Sequence, residues 1–366
     1  MTTTGYIIWI GATVVYFVLI TLAQYPLRKR GLIPVRIIVI IVKAVLALAM
    51  AYFLVATEYG FFYKFGFFLA PLYVVLTGDI AGDIISIPIV LIRKRKSSAF
   101  IQNIFCLFLV MIFLAYGTAN MQIVTANRIN LSSDKLQNKY KIVFVADVHA
   151  GTSQSFDTIE NMIVKISIEN PDMVILGGDI VDEYTTKEEM ERVFAEFGRL
   201  QVPVYYIYGN HDRQPNAAFF GGRTYSDEEL SNTISSNDIF VLKDEWFYPG
   251  DDLMIVGRED YSSPDRKDLS SADFGFSGFI LAADHTPYEC EENAKFGADL
   301  QLSGHTHAGQ LFPLKTLYNL TGYDAYGFYQ HGDTKLYVSS GASGWSFPFR
   351  SEEQCHFDVI TLEPEG

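Results

Sequence analysis

Histidine is absent from the first 148 residues, and all seven histidines of this 366-residue chain lie at or beyond position 149. A metal shell completed by imidazole therefore belongs to the later part of the chain. Acidic residues are also scarce early on: residues 1–120 hold three (Glu58, Asp79, Asp83) against ten Lys or Arg. The rest of the chain reverses that balance, with 39 acids against 18 bases. It lacks the clustered Lys and Arg that a nucleic-acid backbone requires, which argues against such a partner. Cysteine is limited to Cys106, Cys290 and Cys355, with no CxxC spacing. Cys106 reads as a small buried hydrophobe. A Cys290–Cys355 disulfide would need an oxidising compartment, and unpaired thiols are the expectation. No basic residue precedes the first apolar run, so that run is not a cleaved signal.

Long apolar runs, by contrast, are abundant. Residues 6–24, 37–56 and 99–117 each reach the roughly 20 residues that cross a hydrocarbon core. A fourth stretch, 65–92, is interrupted by Pro71, Pro88, Asp79 and Asp83. Four spans are expected, which divides the chain into a transmembrane helical region (1–120), a linker (121–139) and a soluble domain (140–366). Arg28, Lys29, Arg30 and Arg36 fall between spans one and two, and Arg93, Lys94, Arg95 and Lys96 between three and four. Both basic loops are read as cytoplasmic, which puts the soluble domain on the extracytoplasmic side of a bacterial inner or plasma membrane. Re-entry of the third segment would reverse that side.

From about residue 140 the pattern alternates strand and helix. "KIVFVADVH", "PDMVILGGDIVD" and "VPVYYIYGNHD" read as strands, separated by the helical segments "FDTIENMIVKISIEN" and "TKEEMERVFAEFGRL". Two later strands, "SGFILAADHTP" and "ADLQLSGHTHAGQ", follow the same design. Ligand sites in such α/β arrangements lie beyond the carboxyl ends of the strands. That is where Asp147, His149, Asp179, Asp182, Asn210, His211, His285, His305 and His307 collect. So many polar groups are costly to bury without a common partner, and a shared metal centre accounts for them together. Two divalent ions about 3.5–4 Å apart can activate a bridging water and clamp a phosphoryl oxygen. The mix of imidazole and oxygen donors favours Mn, Fe or Zn. Gly177, Gly178, Gly209 and Gly304 are expected to let the backbone turn beside the ligands.

Taken in order, "DVH", "GDIVD", "GNHD", the isolated His285 and "GHTH" resemble the signature of the calcineurin-like metallophosphoesterases. The segment "YGFYQHGDTKLYVSSGASGWSFPFR" is similar to the bacterial membrane-anchored branch that carries GHTHxGQ, although Ala308 stands where glycine is usual. The resemblance implies two mixed β-sheets packed as a sandwich with helices outside. It implies that Asp147, His149, Asp179 and His307 hold one metal, with Asp179 bridging to a second completed by Asn210, His285 and His305. It makes His211 the acid that protonates the leaving oxygen and Asp182 the carboxylate that orients it. Asp212 is read as a loop brace, and His331 and His356 as ordinary residues. Arg213 and Arg350 are candidate phosphate contacts. The aromatic stretches 219–225 and 345–349 are candidate lips for a lipid chain.

The leading expectation is a membrane-anchored phosphoesterase acting on a lipid-linked phosphate or pyrophosphate. The branch includes enzymes that cleave UDP-2,3-diacylglucosamine, which would need a cytoplasmic active site. A non-enzymatic binding platform and a transporter are further alternatives. The transporter rests on Lys43, Asp79 and Asp83 inside apolar segments.

Overall fold

The computed structural model describes residues 3–30, 33–55, 60–93, 99–214 and 223–366, which form two compact units. The first contains residues 1–120 together with 311–314 and 349–351. Its helices are α1 (Thr3–Arg30), α2 (Ile33–Val55), α3 (Gly60–Arg93) and α4 (Ala99–Gln122). Each contains a segment long and apolar enough to cross a membrane: Ile7–Pro26, Ile33–Leu54, Leu69–Pro88 and Ala99–Gln122. The chain is thus a multi-pass membrane protein by its apolar helices. The third segment lies on one helix, and α3 runs unbroken through Pro71 and Pro88. It is the most enclosed of the four, while α1, α2 and α4 turn Ile, Val, Leu and Phe side chains outward.

The acids of α3 are not alone there. Asp79 and Asp83 lie four residues apart and share a helix face. Arg28 of α1 donates to Asp79 Oδ1 at 2.8 Å and to Asp83 Oδ1 at 2.9 Å. Lys43 of α2 reaches Asp79 Oδ2 at 2.8 Å and also pairs with Asp83. Gln24 donates to Asp79, and Gln102 of α4 to Asp83. Two buried cations thus balance two buried anions, with amides completing the shells. This corrects the reading of Arg28 as a loop charge: its side chain is 2% exposed, inside the bundle. Arg36 is also buried, with one nitrogen on the Arg28 carbonyl.

The second unit is a sandwich of two six-stranded mixed sheets. Sheet one is ordered β1 (Thr125–Ser133), β12 (His356–Pro364), β2 (Tyr140–Val145), β3 (Met173–Leu176), β4 (Val204–Tyr206), β5 (Ile239–Val241). Sheet two is ordered β10 (Gly327–His331), β11 (Thr334–Val338), β9 (Leu300–Ser303), β8 (Phe279–Ala283), β7 (Leu253–Gly257), β6 (Glu245–Gly250). Alternation along β2 explains the layers. Ile142 and Phe144 join Ile255, Leu281 and Leu302 of sheet two in the core between the sheets. Val143 and Val145 face α5 (Phe156–Glu169) and α6 (Lys187–Phe197) on the outside, against Ile163, Val193 and Phe194. Both helices have built N-termini: Ser155 caps α5, and Thr186 with Glu189 forms a capping box on α6.

One boundary is corrected. The stretch 121–139, expected as a linker, contains β1, which pairs in parallel with β12 along its whole length. Its residues are mostly part-exposed, so no apolar alternation announces it. All three cysteines are free and buried.

Candidate metal centre

The candidate residues sit on loops that leave the ends of neighbouring strands. Parallel pairing of β2, β3 and β4 brings the loops carrying Asp147, Asp179 and Asn210 side by side. The first two loops then continue to bond each other: Asp147 N–H donates to the Gly178 carbonyl (3.0 Å) and Val148 N–H to that of Asp179 (2.8 Å). Asp147, His149, Asp179, His305 and His307 all have positive φ, between 46° and 73°. Non-glycine residues held in this region cost of order 1–3 kcal/mol each and concentrate at functional sites. Gly178 (φ 89°) turns the chain where a Cβ would meet His285 Nδ1 at 2.6 Å. Gly304 has no such φ; there a Cβ would strike Asp147 Oδ2 at 2.5 Å. Close approach, not turning, demands that glycine.

Two groups of side chains converge: Asp147 with His149 and His307, and Asp179 with His285 and His305. Within each group, one ligand atom per residue lies within 4.8 Å of the others. Three imidazoles are oriented from behind. His285 Nδ1 donates to the Gly177 carbonyl at 2.8 Å and His307 Nδ1 to that of Ser343 at 3.0 Å. His149 Nδ1 faces Asp182 Oδ2 at 3.5 Å. Their Nε2 atoms consequently point inward, His285 lying 3.0 Å and His149 4.0 Å from Asp179 Oδ2. His305 is reversed, with Nδ1 2.8 Å from Asn210 Oδ1 and Nε2 on the Tyr288 hydroxyl at 3.4 Å. Asp179 Oδ2, His149 Nε2 and His285 Nε2 are buried, and among the described residues none is satisfied by a hydrogen bond of good geometry. Buried lone pairs that converge without donors are the signature of a cation site, and the donor set fits divalent transition metals.

The field inside the site agrees. Burial works against it, yet His285 and then His211 hold Asp179 well below the usual carboxylate range. Burial likewise opposes charge on His285, but the Asp179 carboxylate raises its pKa well above the ordinary imidazole value. His305 moves the other way, to about 3, because of burial and then His285. Asp179 thus favours positive charge on the imidazole of His285 beside it, while His305 is held neutral.

Glu183, not Asp182, meets His211. Both oxygens of Glu183 lie against His211 Nδ1, at 3.0 and 2.9 Å. Burial opposes the effect, but Glu183 and then Asp179 raise the His211 pKa to about 10. Asp182 is turned the other way, accepting from the Tyr184 and Thr185 N–H groups and the Thr152 hydroxyl. The resemblance assigns this contact to Asp182, one residue earlier; a turn rather than a helix or strand carries the pair, so no regular period fixes which side chain faces His211. Asp212 acts as the expected brace, accepting from the N–H groups of Asp179, Ile180, Val181 and Gly209.

Other candidates fall away. Arg213 is committed to Glu259, with its Nε at 2.8 Å, and its guanidinium lies 3.5 Å over the Tyr208 ring. Arg350 is fully buried and belongs to the helical unit, its N–H on the Gly117 carbonyl. Trp345, Phe347 and Phe349 are buried rather than forming a lip, and Trp345 packs 5.4 Å from the His211 ring. Positions 219–222 of the other proposed lip lie outside the described residues, and Tyr225 is buried. His331 and His356 pair with Asp324 and Asp358, apart from both groups. Glu183 and the Gly177 and Ser343 carbonyls were missed. Adjacency to Asp182 is the one signal that points to Glu183; a backbone carbonyl leaves none.

Residues 140–309 match the family model for calcineurin-like phosphoesterases. The chain is 29% identical over 244 residues to a metallophosphoesterase of Helicobacter pylori, covering 64% of this chain and 62% of that protein. It is 28% identical over 311 residues to the metallophosphoesterase Cj0846 of Campylobacter jejuni, covering 81% and 80%. A transmembrane protein with metallophosphoesterase domain from Danio rerio is 24% identical over 287 residues, covering 73% and 64%. For the Helicobacter and Danio proteins, the matched part is less than two thirds of the relative's length. The α/β unit at residues 140–309, with its two converging groups of Asp and His, thus carries the calcineurin-like phosphoesterase domain, the fold of a family of metal-dependent phosphoester hydrolases.

Proposed function

We infer that the protein is a membrane-anchored dinuclear phosphoesterase that hydrolyses a lipid-linked phosphate or pyrophosphate ester. The observation that carries the reading is Asp179 Oδ2, buried, without a hydrogen bond of good geometry among the described residues, and flanked by the inward Nε2 atoms of His149 and His285. Asp147, His149, Asp179 and His307 are assigned to one ion, and Asp179, Asn210, His285 and His305 to the other. Two ions of manganese, iron or zinc there would supply an activated water and neutralise phosphoryl charge. The chain itself supplies position and a proton. Asp147 accepts the His305 N–H and Asp179 the His211 N–H, so each carboxylate also ties two loops together. His211 engages Glu183 through Nδ1, which leaves Nε2 to carry a proton toward the departing oxygen. The four apolar helices favour a lipid-linked substrate, which a tethered hydrolase meets at high local concentration. The basic residues 29–30 and 93–96, between apolar segments of the sequence, favour an extracytoplasmic catalytic unit.

Purified protein with Mn should hydrolyse a chromogenic phosphomonoester or phosphodiester. A chelator should abolish the activity and Mn restore it. Asp179→Asn and His211→Ala should each lower kcat/KM by about a hundredfold or more. Full activity in both variants would overturn the assignment. A C-terminal topology reporter that reads cytoplasmic would overturn the extracytoplasmic placement.

A further inference from the structure

Adjacent carboxylates in this chain point in opposite directions. The Asp182 side chain is completely buried and pinned: Oδ1 accepts the Tyr184 and Thr185 N–H groups at 2.8 and 3.2 Å, and Oδ2 accepts the Thr152 hydroxyl. Oδ2 is also the acceptor that faces His149 Nδ1, at 3.5 Å, and among the described residues that nitrogen has no other partner. Glu183 is buried as well, and both its oxygens converge on His211 Nδ1. The two imidazoles stand edge to face with centroids 5.1 Å apart, so each carboxylate fixes one ring of a contacting pair. A ring held at Nδ1 presents Nε2, and the outer partner of a metal-bound histidine governs its orientation and basicity.

We propose that Asp182 and Glu183 are positioning residues with separate tasks: Asp182 aligns His149 for metal binding, and Glu183 aligns His211 for proton delivery to the leaving group. The proposal rests on the dinuclear reading above and deepens it. In the step Glu183 serves, an oxygen from water joins phosphorus and the bond from phosphorus to the leaving oxygen breaks. The proton on His211 Nε2 passes to that oxygen, so phosphate and a neutral alcohol depart. The proton lost by the attacking water passes to solvent, and the imidazole is later reprotonated from solvent, which closes the balance. The family resemblance assigns the second task to Asp182, whereas the geometry gives it to the next residue.

The two tasks predict opposite phenotypes in the intact protein. Asp182→Asn should weaken metal binding by about 10–100-fold, measured by chelator competition and metal analysis without any turnover. At saturating Mn its rates on phenyl and dinitrophenyl phosphate should keep the wild-type ratio. Thr152→Val, which removes the hydroxyl that holds Asp182, should shift metal affinity the same way by a few-fold. Glu183→Gln should retain wild-type metal affinity. It should lose about a hundredfold in kcat on phenyl phosphate, with KM little changed, and only a few-fold on dinitrophenyl phosphate, whose leaving group needs no proton. Glu183→Asp should recover part of the loss. The inference is overturned if Asp182→Asn produces the leaving-group effect, or if Glu183→Gln loses metal. If His211→Ala also lacks leaving-group dependence, the acid assignment falls and this inference with it. If His211→Ala shows it and Glu183→Gln does not, only this inference falls.

Discussion

The chain contains Gly-Asp-Ile twice, at 78–80 and 178–180, and both aspartates are buried. Asp79 is saturated: Arg28 on one oxygen, Lys43 and Gln24 on the other. Asp179 accepts the His211 N–H on Oδ1, and among the described residues no Arg or Lys meets its Oδ2, which faces only imidazole nitrogens, His285 Nε2 at 3.0 Å. Burial is equal, so burial alone does not mark function. What differs is whether the protein supplies its own countercharge. A carboxylate answered by Arg and Lys from neighbouring helices ties those helices together. One ringed by imidazole lone pairs is built for a cation from outside. Asp79 and Asp83 are each paired with both Arg28 and Lys43.

Breaking the closed network should give the largest stability effect. Asp79→Asn leaves Arg28 and Lys43 sharing one carboxylate, and losing one partner of a buried pair costs about 3–5 kcal/mol. Thermal unfolding in detergent should fall, while metal content and kcat per folded molecule stay at wild type. Asp179→Asn should do the reverse, and a matched loss in both variants would erase the distinction.

A carboxylate satisfied by neutral donors alone makes an intermediate test. Asp252 accepts the N–H groups of Gln137 and Asn138 and the Tyr140 hydroxyl. Burial opposes it, but Tyr140 and those N–H groups depress its pKa below the usual carboxylate range. Its stabilising contribution is therefore present above the unfolded value of about 3.9 and is lost as pH falls toward the depressed folded one. Asp252→Asn should lower the melting temperature at pH 7 and flatten its decline below about pH 4. Equal acid sensitivity in the variant would refute this.

The smallest effect belongs to Arg213. Because Glu259 and Tyr208 occupy it, Arg213→Gln should change KM for a phosphoester by less than about threefold. A larger rise in KM would return it to the substrate site.

Much of this contrast is readable from the sequence, for a physical reason. Hydropathy declares the four spans, and polar residues after apolar strands declare Asp147, Asp179, Asn210 and the histidines, because those patterns follow from what burial tolerates. Partners are another matter. Arg28 stands beside Lys29 and Arg30 and reads as one more loop charge; only the packed helices reveal which cation turns inward. Asp182 and Glu183 differ by a single step in an irregular loop, where no helical or strand period says which side chain faces His211. β1 escaped notice because an edge strand needs no apolar face.

The position of β12 carries a consequence for how the molecule is made. This strand, drawn from residues 356–364, lies between β1 and β2, whose residues leave the ribosome long before it. The four helices and the loops bearing Asp147 and Asp179 are synthesised while that gap in the sheet is still open. β12 therefore acts as a bolt: sheet one cannot close across β1 and β2 until residues 356–364 have been made.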